Sequence, residues 1–470
     1  MKITQKIDIS ALTYVHFIGI GGISMCALAD YCLKRHIKVS GSDKSASEAL
    51  KVLARHGAKI SIGHKGANVK KGCDLVVFSG AIRQDNPEIT KARELNIPVV
   101  ERGEFLGAVS REHKKTIAIS GTHGKSTTTA MVASILMQAN IKATIHIGAN
   151  SPMLKRKGEL SNFVMGQDVF VTEACEYREN FLHTKNYIGV ICNIEPEHLD
   201  YFKTYKAEVC AYKKFASQSL YLVCEYNQVQ KLKPHTPCRV ISVSKSEKSA
   251  NFYAQNIRTI KKGGYIFDVI YNGKVLFSQV LNILGEHNIT NALFAIAVAH
   301  KMGIENKVVE QALTDFVGLE RRLENIGTIN NTNFYLDYAH HPTEINSCIN
   351  ALKQVYVNKK GLYIFQPHTY SRTLSLLKDF LRVFTALSED LIIVETYSAR
   401  EDKTCGMTAE QLKEQIKKEK DNVWYATKRQ LKKIKKAIFY KYDYVAFMGA
   451  GDIDSIAKKL ILTRKNTKKT

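Results

Sequence analysis

A glycine-rich loop between a predicted strand and a predicted helix constrains the fold of this chain more than any other feature. Residues 116–120 form a short apolar, β-branched run that predicts a buried strand, and residues 126–139 have helical spacing. Between them lies Gly-Thr-His-Gly-Lys-Ser, residues 121–126. Backbone amides in such a turn, with the N-terminus of the following helix, form a cradle for phosphate. Lys125 can then reach the β- and γ-phosphates, and the Ser126 hydroxyl can hold Mg²⁺.

The loop is a shortened form of the common phosphate-binding pattern, which has glycine at the position of Ile119. An ordinary strand-to-helix turn is the alternative interpretation, but lysine and serine directly after the second glycine favour nucleotide binding. Short apolar runs alternate with helical segments before and after this loop. This alternation predicts α/β domains with doubly wound, largely parallel sheets.

A second glycine cluster, residues 19–24, follows a predicted strand at residues 14–18 and precedes a predicted helix at residues 23–33. It resembles the dinucleotide-binding fingerprint, with Ser24 at the third glycine position. Asp43 ends the next predicted strand, where an acid can bind a ribose hydroxyl. Taken alone, the cluster leaves two interpretations open: NAD binding, or binding of another nucleotide or a nucleotide-sugar.

Acidic and imidazole groups recur just beyond predicted strands. Glu173 follows residues 169–172 and His198 follows residues 188–193. Because hard cations take oxygen ligands, Glu173 is predicted to share Mg²⁺ with Ser126, and His198 could hold a second ion. A capping or surface role is the alternative for any one of them. The run from Asp337 to Pro342 lies beyond another strand and predicts a substrate or nucleotide contact.

Composition bounds the class of protein. The chain has 470 residues, which predicts about three domains, and these are placed at residues 1–113, 114–324 and 325–470. Residues 11–29 carry no charged side chain, but their glycines predict a strand, a turn and a helix instead of a membrane span. The 10 cysteines form no Cys-x-x-Cys pair, which favours a reducing compartment, so a cytoplasmic location is predicted.

The formal net charge is +24. Such a field favours anionic partners, which include nucleotides, nucleic acid and acidic membrane surfaces. The basic residues are dispersed along most of the chain, so a solvated basic surface is the favoured explanation of the charge.

Together these residues resemble the Mur ligase family of ATP-dependent ligases, and within it the alanine-adding type. Thr369 departs from the pattern, because many members have arginine there, and this leaves Arg372 as the basic substrate contact. The matching segments run through nearly the whole chain: residues 16–22, 40–43, 121–129, 173–176, 193–200, 287–288 with 291, 321–322, 337–344, 366–368 and 397–402.

The resemblance implies three α/β domains, Rossmann-like in the first and third, with a phosphate-loop ATPase domain in the centre. It implies that L-alanine is joined to the carboxylate of UDP-N-acetylmuramate through an acyl phosphate, with ATP as co-substrate and Mg²⁺ as cofactor. The process is peptidoglycan precursor synthesis in the cytoplasm, which serves cell-wall biogenesis, cell shape and cell division. No nucleic-acid partner and no membrane insertion are expected, and monomer and dimer both stay open.

The resemblance also assigns residues, position by position. Catalytic roles fall on Lys125, His198 and Arg372. ATP contacts fall on Gly121, Thr122, His123, Gly124, Lys125, Ser126, Thr127, His287 and Asn288. The residues implied to contact the UDP-sugar are Gly21, Gly22, Asp43, His64 and Ser79. This assignment disfavours NAD binding at the first glycine cluster. Tyr338, His340 and Arg372 are implied to contact the amino acid and substrate, and Ser126, Glu173 and His198 the metal.

Two other functions stay open at this point. One is a ligase that recycles a murein tripeptide onto UDP-N-acetylmuramate. The other is a basic, nucleic-acid-stimulated ATPase, which fits the charge and the phosphate loop but lacks an interleaved aromatic–basic stripe in the sequence.

Overall fold

The computed structural model describes residues 7–232, 238–260, 263–399, 401–434 and 436–462. Within these ranges, no helix is both long and apolar enough to cross a membrane. The uncharged stretch at residues 11–29 folds as a strand, a glycine turn and a helix, as its glycines predict. The 10 cysteines, all within the described ranges, are free thiols.

The first sheet has five parallel strands in the order β3-β2-β1-β4-β5. Every side chain of the central strand β1 is buried, because this strand is covered on both faces of the sheet. The strands are β1 (Tyr14–Ile18), β2 (Lys38–Asp43), β3 (Lys59–Ile62), β4 (Leu75–Phe78) and β5 (Val99–Glu101). The helices are α1 (Ile23–Lys34), α2 (Glu48–Arg55), α3 (Pro87–Glu94) and α4 (Arg102–Arg111).

The second sheet has ten strands in the order β15-β14-β13-β12-β11-β10-β6-β9-β7-β8, mostly parallel. An antiparallel meander, β13 to β15, ends one side of the sheet, and Asn272-Gly273 forms the tight turn between β14 and β15. The strands are β6 (Lys115–Ser120), β7 (Ala143–His146), β8 (Phe163–Val164), β9 (Val169–Glu173), β10 (Asn186–Ile191), β11 (Ser219–Glu225), β12 (Arg239–Ser244), β13 (Phe252–Thr259), β14 (Tyr265–Tyr271) and β15 (Lys274–Leu281). The helices are α5 (Lys125–Gln138), α6 (Leu199–Phe202), α7 (Tyr205–Ser217), α8 (Tyr226–Leu232), α9 (His287–Lys301) and α10 (Asn306–Thr314).

The third sheet has six strands in the order β16-β17-β21-β18-β19-β20, and only the edge strand β16 runs antiparallel. The strands are β16 (Glu324–Ile329), β17 (Thr332–Asp337), β18 (Gly361–Phe365), β19 (Asp390–Val394), β20 (Val423–Ala426) and β21 (Tyr444–Met448). The helices are α11 (Pro342–Val355), α12 (Tyr370–Ser375), α13 (Leu377–Thr385), α14 (Ala409–Lys417), α15 (Lys428–Lys433), α16 (Lys436–Phe439) and α17 (Ile453–Leu462). The predicted class, α/β with three largely parallel sheets, is confirmed.

The chain divides into two compact units. The first comprises Met1–Thr259, Tyr265–Asn282 and Asn288–Val317, and therefore holds the first two sheets. The second comprises Ile260–Gly264, Ile283–His287 and Gly318–Thr470, with the third sheet. The domain boundaries at residues 113/114 and 324/325 stay a prediction.

Inside the first unit, helix α4 packs closely on the short helical segment Tyr177–His183. Two glycines make this approach possible. A Cβ on Gly103 would lie 1.9 Å from Asn180 Oδ1, and one on Gly107 would lie 2.4 Å from the carbonyl oxygen of His183. The close packing at these two glycines holds helix α4, the last helix of the first sheet, against the central domain.

We predict that Gly103→Ala and Gly107→Ala each destabilise the first unit by roughly 1–3 kcal/mol, the usual cost of overpacking. Since Gly103 faces a side chain, adding Asn180→Ser should restore part of the stability of Gly103→Ala. The same change should not rescue Gly107→Ala, because that glycine faces backbone. Thermal unfolding of the single and double variants measures these changes in stability. If Asn180→Ser rescued both glycine variants equally, the two glycines would not have separate partners.

Candidate active site

The phosphate-type loop joins strand β6 to helix α5 and depends on two glycines. Gly121 has a φ of +129°, and a Cβ there would lie 3.0 Å from the backbone nitrogen of Asn193. Gly124 is the N-cap of α5 with a φ of +83°, in the left-handed region that favours glycine. A Cβ on Gly124 would lie 2.6 Å from Asn291 Oδ1. The loop therefore turns tightly and places the N-terminus of the 14-residue helix α5 at its open side.

The segment after strand β10 holds the loop in shape. The amide of His123 donates to Asn193 Oδ1 at 2.8 Å, and Asn193 Nδ2 donates back to the His123 carbonyl at 3.1 Å. The Glu195 amide donates to Thr122 Oγ1 at 2.9 Å. Because β10 lies next to β6 in the sheet, these bonds join two neighbouring strand ends. The loop is thus preorganised by the protein itself.

Lys125 lies inside the loop with a buried carboxylate. Its ammonium group donates to the carbonyls of Gly121 and Thr122, the latter at 3.0 Å, and lies 3.2 Å from Glu176 Oε2. Burial alone lowers the pKa of Lys125, but the negative charge of Glu176 outweighs it and raises the pKa. Burial likewise raises the pKa of Glu176, and Lys125 and His198 outweigh it and lower the pKa. Both groups are therefore charged at neutral pH.

The residues predicted to bind metal lie at the same sheet edge. Glu173 ends β9, and its Oε1 accepts from the Gly148 amide at 2.5 Å. Ser126 lies in the first turn of α5 and is largely buried. His198 Nε2 lies 3.4 Å from Glu176 Oε1, and its ring lies 4.7 Å from that of Tyr177. The hydroxyl and carboxylate of Ser126 and Glu173 fit Mg²⁺, which prefers oxygen ligands, whereas the imidazole of His198 faces a carboxylate.

We predict that Glu173→Gln raises the Mg²⁺ concentration needed for half-maximal ATP turnover, because a neutral amide is a weaker ligand than a carboxylate. Added Mg²⁺ should restore part of the activity. Glu225→Gln is the matched control, since Glu225 also ends a strand of this sheet, β11. A magnesium titration of both variants decides the matter: an unchanged curve for Glu173→Gln would exclude Glu173 as a metal ligand.

Helix α9 brings two asparagines toward the loop. Asn291 Nδ2 donates to Asn288 Oδ1 at 2.9 Å, and Thr128 Oγ1 donates to Asn291 Oδ1 at 3.3 Å. Asn288, one of the predicted ATP contacts, is therefore linked through Asn291 to helix α5. His287, the other predicted ATP contact on this helix, is the first residue of α9, and its ring packs against Gly285. Thr127 lies in the first turn of α5 beside Ser126.

The predicted UDP-sugar residues gather at the carboxyl edge of the first sheet. The Gly21 amide donates to Asp43 Oδ2 at 2.9 Å, so the carboxylate holds the glycine turn. Gly22 is the N-cap of helix α1. His64 follows β3, and Ser79 follows β4, with its Cβ 3.4 Å from the position of a Cβ on Gly19. In open parallel sheets, ligands bind at this edge.

The second unit carries its own cluster of aromatic and basic side chains. The Tyr338 ring lies 5.4 Å from that of His340 and 4.7 Å from the Arg321 guanidinium carbon. The His340 ring lies 5.8 Å from that of His368, which contacts Arg372 Nη1 at 3.3 Å. All three predicted residues, Tyr338, His340 and Arg372, therefore belong to one cluster beyond strands β17 and β18. Such a cluster suits an anionic or carboxylate-bearing ligand.

Sequence reasoning gave no site role to three residues that the geometry places in the site, although segments that match the family contain all three. Glu176 pairs with Lys125, Asn193 holds the loop, and Asn291 abuts Gly124. Asn193 is the last residue of the strand predicted at residues 188–193, and this position was an available signal, since strand ends of one parallel sheet meet at one edge.

Fold and site together define a three-domain α/β enzyme with a phosphate loop in its central domain. Three models of Mur ligase domains match consecutive parts of the chain: "Mur ligase family, catalytic domain" matches residues 14–114, "Mur ligase middle domain" residues 119–299, and "Mur ligase, glutamate ligase domain" residues 321–451. The chain belongs to the Mur ligase family.

Named relatives agree with this assignment. The UDP-N-acetylmuramate–L-alanine ligase of Clostridium kluyveri is 42% identical over 407 residues, covering 86% of this chain and 87% of that protein. The enzyme of the same name from Alkaliphilus metalliredigens is 38% identical over 469 residues, covering 98% and 99%. The crystal structure of UDP-N-acetylmuramate-alanine ligase from Thermotoga maritima superposes with a TM-score of 0.82 at 27% identity, covering 97% of this chain and all of that one.

Proposed function

We propose that this protein joins L-alanine to the carboxylate of UDP-N-acetylmuramate while ATP is cleaved to ADP and phosphate. The observation that carries the proposal is the preorganised loop around Lys125, with Glu173 at the adjacent strand end. The substrates are those in the names of the relatives at 38–42% identity. The same names support a role in peptidoglycan precursor synthesis, and the use of ATP supports a cytoplasmic location.

The chemistry explains why a phosphate loop is needed. A carboxylate is a poor electrophile, because its charge is shared by two oxygens. One carboxylate oxygen attacks the γ-phosphorus, the bond to the β-phosphate oxygen breaks, and ADP leaves with an acyl phosphate formed. The neutral amine of L-alanine then attacks the carbonyl carbon. Phosphate departs with the former carboxylate oxygen, and the amine loses a proton to give the amide.

The described residues supply positioning and charge for these steps. Lys125 and the amides of the loop stabilise the charge on the transferred phosphoryl group, which is the main requirement of such a transfer. Gly121, Thr122, His123, Gly124 and Thr127 shape the cradle, and His287 and Asn288 bind beside it. Ser126 and Glu173 would hold Mg²⁺, which would neutralise phosphate charge, and His198, the third predicted metal ligand, lies beside Glu176, the partner of Lys125.

The other two clusters take the remaining substrates. Gly21, Gly22, Asp43, His64 and Ser79 bind the UDP part of the sugar. Tyr338, His340 and Arg372 bind the amino acid or the carboxylate that it joins. Because position 369 is threonine and not arginine, Arg372 is the basic contact that helix α12 provides.

Phosphate release with ATP, UDP-N-acetylmuramate and L-alanine tests the proposal when each component is omitted in turn. Release should require all three, and ATP turnover without the UDP-sugar would contradict it. Replacing alanine with the murein tripeptide L-alanyl-γ-D-glutamyl-meso-diaminopimelate tests the recycling function. Adding DNA or RNA tests the nucleic-acid-stimulated ATPase, which predicts faster release.

A further inference from the structure

Glu88 is a fully buried carboxylate in the first domain, away from the phosphate loop. It lies on helix α3, and none of its side chain is exposed. Its Oε2 accepts from Ser42 Oγ at 2.5 Å and lies 3.4 Å from His64 Nδ1. Its Oε1 accepts from Asn68 Nδ2 and from the Lys65 amide at 3.3 Å. A buried charge with this many partners joins strand β2 to the loop that carries His64.

The hydrogen bonds of this cluster have only one consistent direction. Ser42 has a single hydroxyl proton, and it goes to the Glu88 carboxylate. Ser42 Oγ also lies 2.9 Å from His64 Nδ1, where it can act only as an acceptor. Burial raises the pKa of Glu88, but contacts with His16, Ser42 and Asn68 outweigh it and lower the pKa to about 2. The ionised Glu88 carboxylate can also only accept hydrogen bonds. Because Ser42 Oγ and Glu88 Oε2 both accept, their hydrogen bonds with His64 require a proton on its Nδ1.

The tautomer decides what the other nitrogen of His64 can do. A neutral imidazole with its proton on Nδ1 carries a lone pair on Nε2, which is then a hydrogen-bond acceptor. The His64 side chain is 11% exposed. Within the described part of the chain, no group is hydrogen-bonded to its Nε2. The residue follows β3 at the edge that also carries Asp43 and the glycine turn.

We propose that Glu88, acting through Ser42, fixes His64 as the Nδ1–H tautomer, so that Nε2 accepts a hydrogen bond from the uridine of the bound UDP-sugar. The inference rests on the proposed function and adds two positioning residues and the polarity of the contact. Uridine offers three donors, the N3–H of uracil and the 2′- and 3′-hydroxyls of ribose. Each is an N–H or O–H group that an imidazole lone pair can accept.

Glu88→Gln tests this directly, because its amide can donate toward Ser42 and His64 and so allow the opposite tautomer. A long-range ¹H–¹⁵N spectrum of the full chain should show Nε2 of His64 unprotonated in the wild type and altered in Glu88→Gln. Titration with UDP should show affinity reduced roughly tenfold, the effect of one lost hydrogen bond, while ATP affinity stays unchanged. Glu94→Gln, an exposed carboxylate on the same helix, should change neither.

UDP analogues identify the donor. N3-methyl-, 2′-deoxy- and 3′-deoxy-UDP each remove one of the three donors. On the wild type, one of these analogues should bind more weakly than UDP. On Glu88→Gln, that same analogue should bind as well as UDP does. If Glu88→Gln does not fold, the wild-type spectrum still tests the tautomer, and the analogues still identify the donor in the wild type, since neither measurement needs a variant.

Three outcomes would overturn the inference: a protonated Nε2 in the wild type, equal losses of UDP and ATP affinity in Glu88→Gln, or analogue losses that are the same in both proteins. A wild-type protein that binds no UDP would instead contradict the proposed function. In that case the spectrum still reports the tautomer, so the two failures can be told apart.

Discussion

Lys125→Ala is expected to lower the rate of ATP-dependent ligation by about 10²–10³, the usual effect of removing one preorganised charge donor. The ammonium lies within the loop between the carbonyls of Gly121 and Thr122, so its charge is already placed where phosphate is proposed to bind. Lys125→Ala should also lower stability, because it breaks the pair with the buried Glu176 carboxylate, but His198 still faces Glu176, so the fold should persist at the assay temperature. Phosphate release at saturating substrates measures the effect.

Lys115→Ala is the matched control, because Lys115 is an exposed lysine at the opposite end of the same strand, β6. It should retain nearly full activity. Near-normal turnover of Lys125→Ala would show that the loop is not the phosphate site, whereas equal losses in both variants would indicate a general effect of charge.

Glu176→Ala is expected to destabilise the protein by about 3–5 kcal/mol, because it leaves the ammonium of Lys125, whose side chain is only 18% exposed, without its carboxylate. The Glu176 side chain is only 1% exposed, and its oxygens lie 3.2 Å from Lys125 Nζ and 3.4 Å from His198 Nε2. At this size of domain the apparent melting temperature should fall by ~6 °C or more. Thermal unfolding followed by circular dichroism measures it.

A surface pair in the same domain provides the comparison. Lys114 and Asp168 lie 3.1 Å apart but are 79% and 63% exposed, so Asp168→Ala should cost less than about 1 kcal/mol. The double variant Lys125→Met/Glu176→Leu should recover most of the stability, since it removes both charges together. Glu176→Ala melting no lower than Asp168→Ala would contradict the buried pair.

The sequence was most informative where strands are buried on both faces. Residues 14–18 were predicted as a strand and form β1, and the helix predicted at 23–33 forms α1 with one more residue. Continuous apolar runs that end at glycine are easily recognised in a parallel sheet. The short strands β3 and β5 were not predicted, because they have only four and three residues, too few to show a clear pattern. Such strands depend on their neighbours in the sheet.

The site was predictable to the extent that its residues follow strands. Lys125 and Glu173 lie at neighbouring strand ends, as the pattern indicated. Glu176 also lies just beyond the strand predicted at residues 169–172, but its pairing with Lys125, like the contact of Asn291 with Gly124, is a tertiary contact that the pattern does not show. Similarly, the position of His64 was expected, but its tautomer depends on Glu88, a buried carboxylate on a helix.

The γ-phosphoryl group of ATP is proposed to activate the carboxylate of UDP-N-acetylmuramate. Labelling that carboxylate with ¹⁸O tests it most directly, because an acyl phosphate must pass one carboxylate oxygen to phosphate. Incubated with ATP and L-alanine, the protein should release phosphate that carries one ¹⁸O atom for each amide formed, as measured by mass spectrometry. Amide formation with unlabelled phosphate would contradict this account.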